Sequence, residues 1–91
     1  MRTKAWRRLS RADLNYLRDL ESKGRVPALN GLETARVCHL HNGNFTIATV
    51  MLGGVFRVGT AKRNPMDAET PKIGERLALV RALRSTQGVR V

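Results

Sequence analysis

The strongest constraint on the fold is a β-hairpin signature in the middle of the chain. The run FTIATVML (residues 45–52) is rich in β-branched side chains, which favour strands. Gly53–Gly54 follows it, and glycine reaches the positive φ angles that two-residue hairpin turns require. We expect the returning strand at Val55–Ala61 and an earlier strand at Thr34–Leu40, which leads into the turn signal HNGN at residues 41–44. Together these segments predict a three-stranded antiparallel meander.

A helix is predicted before the meander, over about residues 11–23. Ser10 and Asp13 have the spacing of a capping box, and leucines on either side of them complete a hydrophobic staple. Gly24 has the position of a helix-ending glycine, and Pro27 prevents the helix from resuming.

A second helix is predicted after a polar loop at residues 62–70. Thr70 is the expected cap, Pro71 takes the first helical position, and the helix is expected to end near Ser85. We expect its apolar face to lie against the sheet. That face contains Ile73, Leu77, Leu79, Val80 and Leu83.

The predicted fold class is α+β, with two layers in the order α-β-β-β-α and both helices on one face of the sheet. The chain is long enough for one domain. We expect a basic N-terminal arm at residues 1–9, a single domain at 10–86 and a frayed tail at 87–91. The other sheet face is open or covered by a partner, which allows a monomer or a homodimer.

Charge is the strongest compositional signal of function. The chain has 17 Lys and Arg against 7 Asp and Glu, a formal net charge of +10. Such a surplus repels itself in the folded state, so we expect an anionic partner to relieve it: nucleic acid, an acidic protein surface or an anionic membrane. No apolar run has the length of a membrane span, and no apolar segment follows the basic N-terminus as in a secretion signal. These features argue against a membrane span and against secretion, and we expect no membrane partner.

The lone cysteine bears on compartment and chemistry. Cys38 has no disulfide partner in the chain, which indicates a reducing compartment, and we expect a cytoplasmic location. Cys38, His39 and His41 do not complete a tetrahedral metal shell, and Cys38 and His39 face opposite ways along a strand. The remaining carboxylates form no acid–base pair. We therefore expect no metal, no cofactor and no enzymatic activity.

The order α-β-β-β-α, at this length and charge, resembles the double-stranded RNA-binding domain. The run FTIATVMLGGVFRVGTAK followed by ERLALVRAL is similar to that family's second strand, turn, third strand and final helix. The segment GTAKRNPMDAETPKIGERLALVRAL (residues 59–83) also resembles small uncharacterised bacterial and phage proteins with a fold like that domain. The resemblance covers roughly residues 33–85.

The resemblance implies three regions of contact with nucleic acid. Helix one offers Arg11, Asn15 and Arg18 to a minor groove, and the turn after strand one offers His41 and Asn42 to the next one. The family's Lys-Lys-x-x-Lys cluster at the second helix is missing here. The cations near that position are Lys62, Arg63, Lys72 and Arg76.

The N-terminal arm adds a fourth candidate region, because basic residues around an aromatic side chain suit phosphate contact and base stacking. Its candidate residues are Arg2, Lys4, Trp6, Arg7 and Arg8. Folding of Trp6 onto the core is the alternative for this segment.

Two functional hypotheses follow. The first is a nucleic-acid-binding module that recognises duplex RNA or DNA by shape and backbone. The second is a phage-encoded, protein-binding modulator or inhibitor of a host nucleic-acid-handling or defence machine, which would act in the host cytoplasm. The missing lysine cluster motivates the second, in which the basic surface meets an acidic protein site.

Overall fold

The fold is α+β, as predicted: one antiparallel sheet and two helices. The structure, a computed structural model, describes residues 6–40, 45–62, 71–85 and 88–90. Within them the elements are β1 (Arg7–Arg8), α1 (Arg11–Ser22), β2 (Leu32–Leu40), β3 (Phe45–Leu52), β4 (Val55–Lys62), α2 (Pro71–Arg84) and β5 (Gly88–Arg90). Neither of these helices is long and apolar enough to cross a membrane.

The prediction of three strands is wrong, because the sheet has five strands in the order β1-β2-β3-β4-β5 in the described part of the chain. The three predicted strands are its long central members. Arg7 of the expected arm pairs with Val37, and Gly88 of the expected frayed tail pairs with Arg57. Both short strands satisfy backbone groups that the outer central strands would otherwise leave unpaired. Strands of two and three residues are too short to carry a periodic sequence pattern, so the sequence did not reveal them.

The central hairpin has the predicted form. Gly53 and Gly54 have φ angles of 59° and 78°, and Leu52 pairs with Val55 across the turn. Two consecutive positive φ angles are the requirement of a primed turn, whose twist matches that of the two strands.

The capping box at the start of α1 is confirmed. The Asp13 amide donates to Ser10 Oγ at 3.2 Å, and the Ser10 amide donates to Asp13 Oδ2 at 3.3 Å. Both helix-start amides therefore have side-chain acceptors. After the helix, Gly24 has a φ of 72°, as the sequence predicts for the residue that ends it.

The core lies on one face of the sheet. Alternate residues of β3, from Thr46 to Leu52, are buried, and those between them are half-buried. One cluster joins this face to both helices. Its fully buried members are Leu17, Ala48, Ala78, Leu79, Ala82 and Leu83.

The predicted inner face of α2 is partly wrong. Ile73 and Leu77 are 56% and 41% exposed, whereas Ala78 and Ala82 are buried beside Leu79. Ala78 and Ala82 face β4 because α2 lies so close to this strand that larger side chains would not fit there. Leu79 and Leu83 are buried as well, whereas Ile73 and Leu77 are turned towards solvent.

Gly59 of β4 is the point of closest approach. A Cβ built at Gly59 would collide with the Ala78 carbonyl oxygen and the Ala82 amide nitrogen, and would lie 2.8 Å from the Ala82 Cα. These are backbone atoms, so a rotamer change cannot make room. The α2 backbone therefore rests directly on the strand.

We predict that Gly59→Ala lowers the free energy of unfolding by about 3 kcal/mol or more, because α2 must be pushed off the sheet. Chemical denaturation measures this change. Gly24→Ala is the matched control: its Cβ has no atom within 4 Å, and only its positive φ opposes it. That strain costs about 1 kcal/mol. Equal losses in the two variants would contradict the close approach at Gly59.

Candidate functional site

A buried carboxylate, Glu75 on α2, organises the polar interior. Its side chain forms an ion pair with the Arg7 guanidinium and accepts a hydrogen bond from His39 Nε2 at 2.8 Å. The other ring nitrogen of His39 is hydrogen-bonded to Thr46 Oγ1 at 3.0 Å. Glu75 therefore ties α2 directly to β1 and β2, and through His39 to β3.

A second buried carboxylate, Asp13, extends the network to α1. Its oxygens lie 3.9 Å from Arg7 Nη1 and 3.6 Å from Arg76 Nε. The Arg76 guanidinium also lies over the Tyr16 ring, 4.5 Å from its centroid. Arg7 and Arg76 thus neutralise carboxylates inside the protein, an arrangement that buried charges require.

The surroundings of Glu75 favour its charged form. Burial alone would raise the pKa of this carboxyl, but hydrogen bonds from Arg7 and His39, together with the Arg7 charge, lower the pKa below its usual value of 4.5. The same hydrogen bond raises the pKa of Arg7. The pair is therefore ionised at neutral pH.

The order Thr46–His39–Glu75 is that of a nucleophile, a base and an orienting acid. The Thr46 side chain, however, belongs to a residue only 3% exposed. A substrate therefore has no access to its hydroxyl, and we assign the network a structural role. Within the described residues, no group of three or more His, Cys, Asp and Glu side chains is placed to hold a metal ion.

A separate feature, which we call the arginine groove, lies at the outer edge of β2. It is a groove of about 500 Å³ between this edge, β1 and α1. Among the described residues that line it, Arg8, Arg18 and Arg36 provide the positive charges and Glu33 is the one carboxylate. Its remaining lining is mostly apolar and consists of Leu9, Leu14, Leu29, Leu32, Thr34 and Ala35.

The sheet register brings two of these arginines together. Arg8 pairs directly with Arg36, so both side chains leave the same face of the sheet. Arg18 reaches the groove from α1. All three arginines are exposed, and none of them forms an ion pair with another described residue. The groove is therefore a concentration of uncompensated positive charge.

The exposed residues of α1 extend this charged surface. Arg11, Asn15 and Arg18 are all exposed, and spacings of four and three residues place them on one stripe of the helix. We call them the α1 stripe. Trp6 is also exposed, whereas Lys62 lies at the end of β4, two strands away from β2.

The other predicted site residues have different surroundings. Arg7 and Arg76 are engaged with Glu75 and Asp13, as described above. Five predicted residues and one side chain lie outside what the structure describes: Arg2, Lys4, His41, Asn42, Arg63 and the Lys72 side chain. Their roles stay predictions.

Sequence reasoning missed Arg36. Its position inside a strand gave no motif, and only the pairing of β1 with β2 reveals that it faces Arg8. A signal was nevertheless available, because an arginine in a strand that alternates inward and outward residues belongs on the outward side.

A family model described as Rv2632c-like matches residues 41–87, which is just over half of the chain. The chain belongs to the Rv2632c-like family. No curated protein and no solved structure matches it significantly.

The Rv2632c-like segment contains β3, β4 and α2. It therefore includes Glu75, Thr46 and the contact at Gly59. The three arginines of the arginine groove precede it in the sequence. The buried network thus joins the segment that defines the family to the N-terminal elements that carry the groove.

We predict that Glu75→Gln lowers the free energy of unfolding at neutral pH by about 1–3 kcal/mol, because Arg7 and His39 lose a charged acceptor. The control is Asp19→Asn, which removes the exposed pair between Asp19 and Lys23. That change is expected to cost less than about 0.5 kcal/mol.

The lowered pKa of Glu75 also predicts how the stability of the fold depends on pH. The folded pKa of Glu75 is depressed, so its stabilisation is complete above its usual pKa of 4.5 and is lost as the pH falls through the folded value. Denaturation midpoints measured from neutral to acidic pH should fall less steeply in Glu75→Gln than in the wild type. Parallel pH profiles would contradict this account of the pair.

Proposed function

We propose that the protein is a non-catalytic nucleic-acid-binding protein that contacts the backbone of duplex RNA or DNA through the arginine groove and the α1 stripe. The observation that carries the proposal is the direct pairing of Arg8 with Arg36 beside Arg18. This surface belongs to a chain whose net charge is +10.

The pairing is unfavourable without an anion. Like charges directly opposite each other on neighbouring strands repel, and here no described carboxylate pairs with either arginine. A phosphate between the two guanidinium groups relieves that repulsion. Arginine also presents a planar set of donors that matches phosphate oxygens in a bidentate manner.

The dimensions of the α1 stripe suit a nucleic-acid strand. A helix rises about 1.5 Å per residue, so Arg11 and Arg18 are separated by roughly 10 Å along α1. One strand of a duplex advances about 3.4 Å along the axis per phosphate. The stripe therefore spans about three successive phosphates, with Asn15 between the two arginines.

The order of the elements supports the same function. The helix α1, the three long strands and the helix α2 follow one another in the order of the double-stranded RNA-binding domain, and β1 and β5 are additions to that order. In that family the first helix meets a minor groove, and here α1 carries the exposed polar stripe. Recognition is by shape and backbone rather than by base edges, and the proposed location is the cytoplasm.

The rival function is a protein-binding modulator of a nucleic-acid-handling machine. It is favoured by the commitment of Arg7 and Arg76 to internal ion pairs, which leaves fewer cations for phosphate. In that case the arginine groove would meet an acidic protein surface instead. Binding of purified duplexes separates the two functions.

We predict that Arg8→Thr and Arg36→Thr each weaken binding to duplex RNA or DNA by roughly tenfold at low salt, a loss of about 1.4 kcal/mol. Each variant should also reduce the slope of log affinity against log salt concentration by about 1. Fluorescence anisotropy with labelled duplexes measures both quantities. Arg25→Thr is the control, because this exposed arginine does not line the arginine groove.

The fold should survive these changes. Removing one of two facing like charges relieves repulsion, and threonine favours strands, so we expect the stability of Arg36→Thr to stay within about 0.5 kcal/mol of the wild type. Failure of the wild type to bind either duplex at low ionic strength would contradict the proposed function. An equal effect of Arg25→Thr would contradict the assignment to the arginine groove.

A further inference from the structure

The outer surface of the helix layer contains a second groove, between α1 and α2. We call it the interhelical groove. It encloses about 410 Å³. Its lining consists of Tyr16, Leu20, Arg25, Ile73, Arg76, Leu77, Val80 and Arg84.

The apolar part of this groove comes from the outward side of α2 together with Tyr16 and Leu20 of α1. Ile73, Leu77 and Val80 follow the spacing of one helical stripe, and the first two are among the most exposed large apolar residues described. The inward side of α2 is buried, and apart from Glu75 it is apolar as well. A helix that is apolar on both sides is typical of a helix buried on both sides. The sequence of α2 is therefore that of a helix packed on both sides, but no described element covers its outward side.

The charged part of the groove is entirely positive. Its three charged lining residues are arginines, and no carboxylate lines it among the described residues. Arg76 is held by Asp13 and Tyr16, whereas Arg25 and Arg84 are exposed and form no ion pair with another described residue. The groove thus combines an apolar centre with available positive charge at its rim, and the occupant it complements is apolar and acidic.

We propose that the interhelical groove docks an amphipathic helix of a partner protein, with leucine-like anchors on one face and acidic residues beside them. A groove between two helices offers side chains rather than free backbone groups, so it accepts a packed helix and not an added strand. The available cations are Arg25, which follows α1, and Arg84, the last residue of α2. The partner's carboxylates would therefore meet these two arginines beside its apolar anchors.

This binding mode goes beyond the proposed contact with nucleic acid and uses different residues. A phosphate backbone placed here would lie against Ile73 and Leu77 and gain nothing from their burial. In the arginine groove all three arginines are exposed and form no ion pair with another described residue, whereas Arg76 of the interhelical groove is held by Asp13. One chain can therefore carry a nucleic acid and a protein partner at the same time.

The test uses a synthetic helical peptide of about four turns, with leucines at helical spacing and glutamates flanking them. Two control peptides share its length: one carries lysine in place of glutamate, and the other has the same composition in scrambled order. Backbone amide chemical shifts of the full protein are followed during each titration. We expect only the ordered acidic peptide to shift amides near Leu20, Leu77 and Arg84.

Two matched variants assign the site. Leu77→Ser should weaken the binding of the ordered acidic peptide about tenfold, a loss of about 1.4 kcal/mol of binding free energy. Val58→Ser alters a residue of similar exposure, 45%, that does not line the groove, and should leave the affinity unchanged. Neither side chain is buried, so both variants should fold.

Several results would overturn the proposal. They are the absence of shifts at millimolar peptide, equal binding of the scrambled peptide, shifts confined to the arginine groove, and displacement of the peptide from these amides by duplex RNA. Each is distinct from failure of the proposed function, because the duplex titration reports on the arginine groove and the peptide titration on Leu77.

Discussion

The contact of α2 with β4 at Gly59 fixes how closely α2 lies on the sheet, and the polar network and both candidate surfaces depend on that placement. Because glycine allows the helix backbone to rest on the strand, Ala78 and Ala82 face β4, while Ile73 and Leu77 are turned outward. The same placement brings Glu75 against His39 and within reach of Arg7. Arg7 in turn fastens the N-terminal segment to the sheet edge as β1. Both candidate surfaces follow from this one contact, since β1 carries Arg8 to Arg36 and the outward side of α2 forms the interhelical groove.

The distribution of charge follows from the same framework. The chain has seven carboxylates, and two of them, Asp13 and Glu75, are buried. Burying these carboxylates requires cationic partners. Arg7 and Arg76 are those partners, so they are not available to contact a ligand. Other arginines remain exposed and form no ion pair with another described residue, above all Arg8, Arg18 and Arg36. The interior is therefore organised by paired charge, while the surface keeps the unpaired positive charge that long-range attraction to a polyanion needs.

The sequence predicted the elements with strong local signals. The Gly53–Gly54 turn and the capping box of Ser10 and Asp13 depend on residues close in the chain, and both have the expected geometry. Features that depend on distant residues were missed. The strands at Arg7–Arg8 and Gly88–Arg90 form because a neighbouring strand has an open edge, which no short pattern encodes. The helix face was misassigned because its orientation depends on space at Gly59. Arg18 and Arg8 were predicted as binding residues, whereas Arg36 became a candidate only through its pairing with Arg8.

We propose that the exposed arginines beside β1, β2 and α1 form the surface that meets a nucleic acid. Photo-crosslinking of the full protein to a duplex RNA at low ionic strength, followed by mapping of the crosslinked peptides, is the decisive experiment. We expect crosslinks in the segments that contain Arg8, Arg11, Arg18 and Arg36. Crosslinks concentrated on the outward side of α2 or on the exposed face of β4, or no crosslink at all, would contradict it.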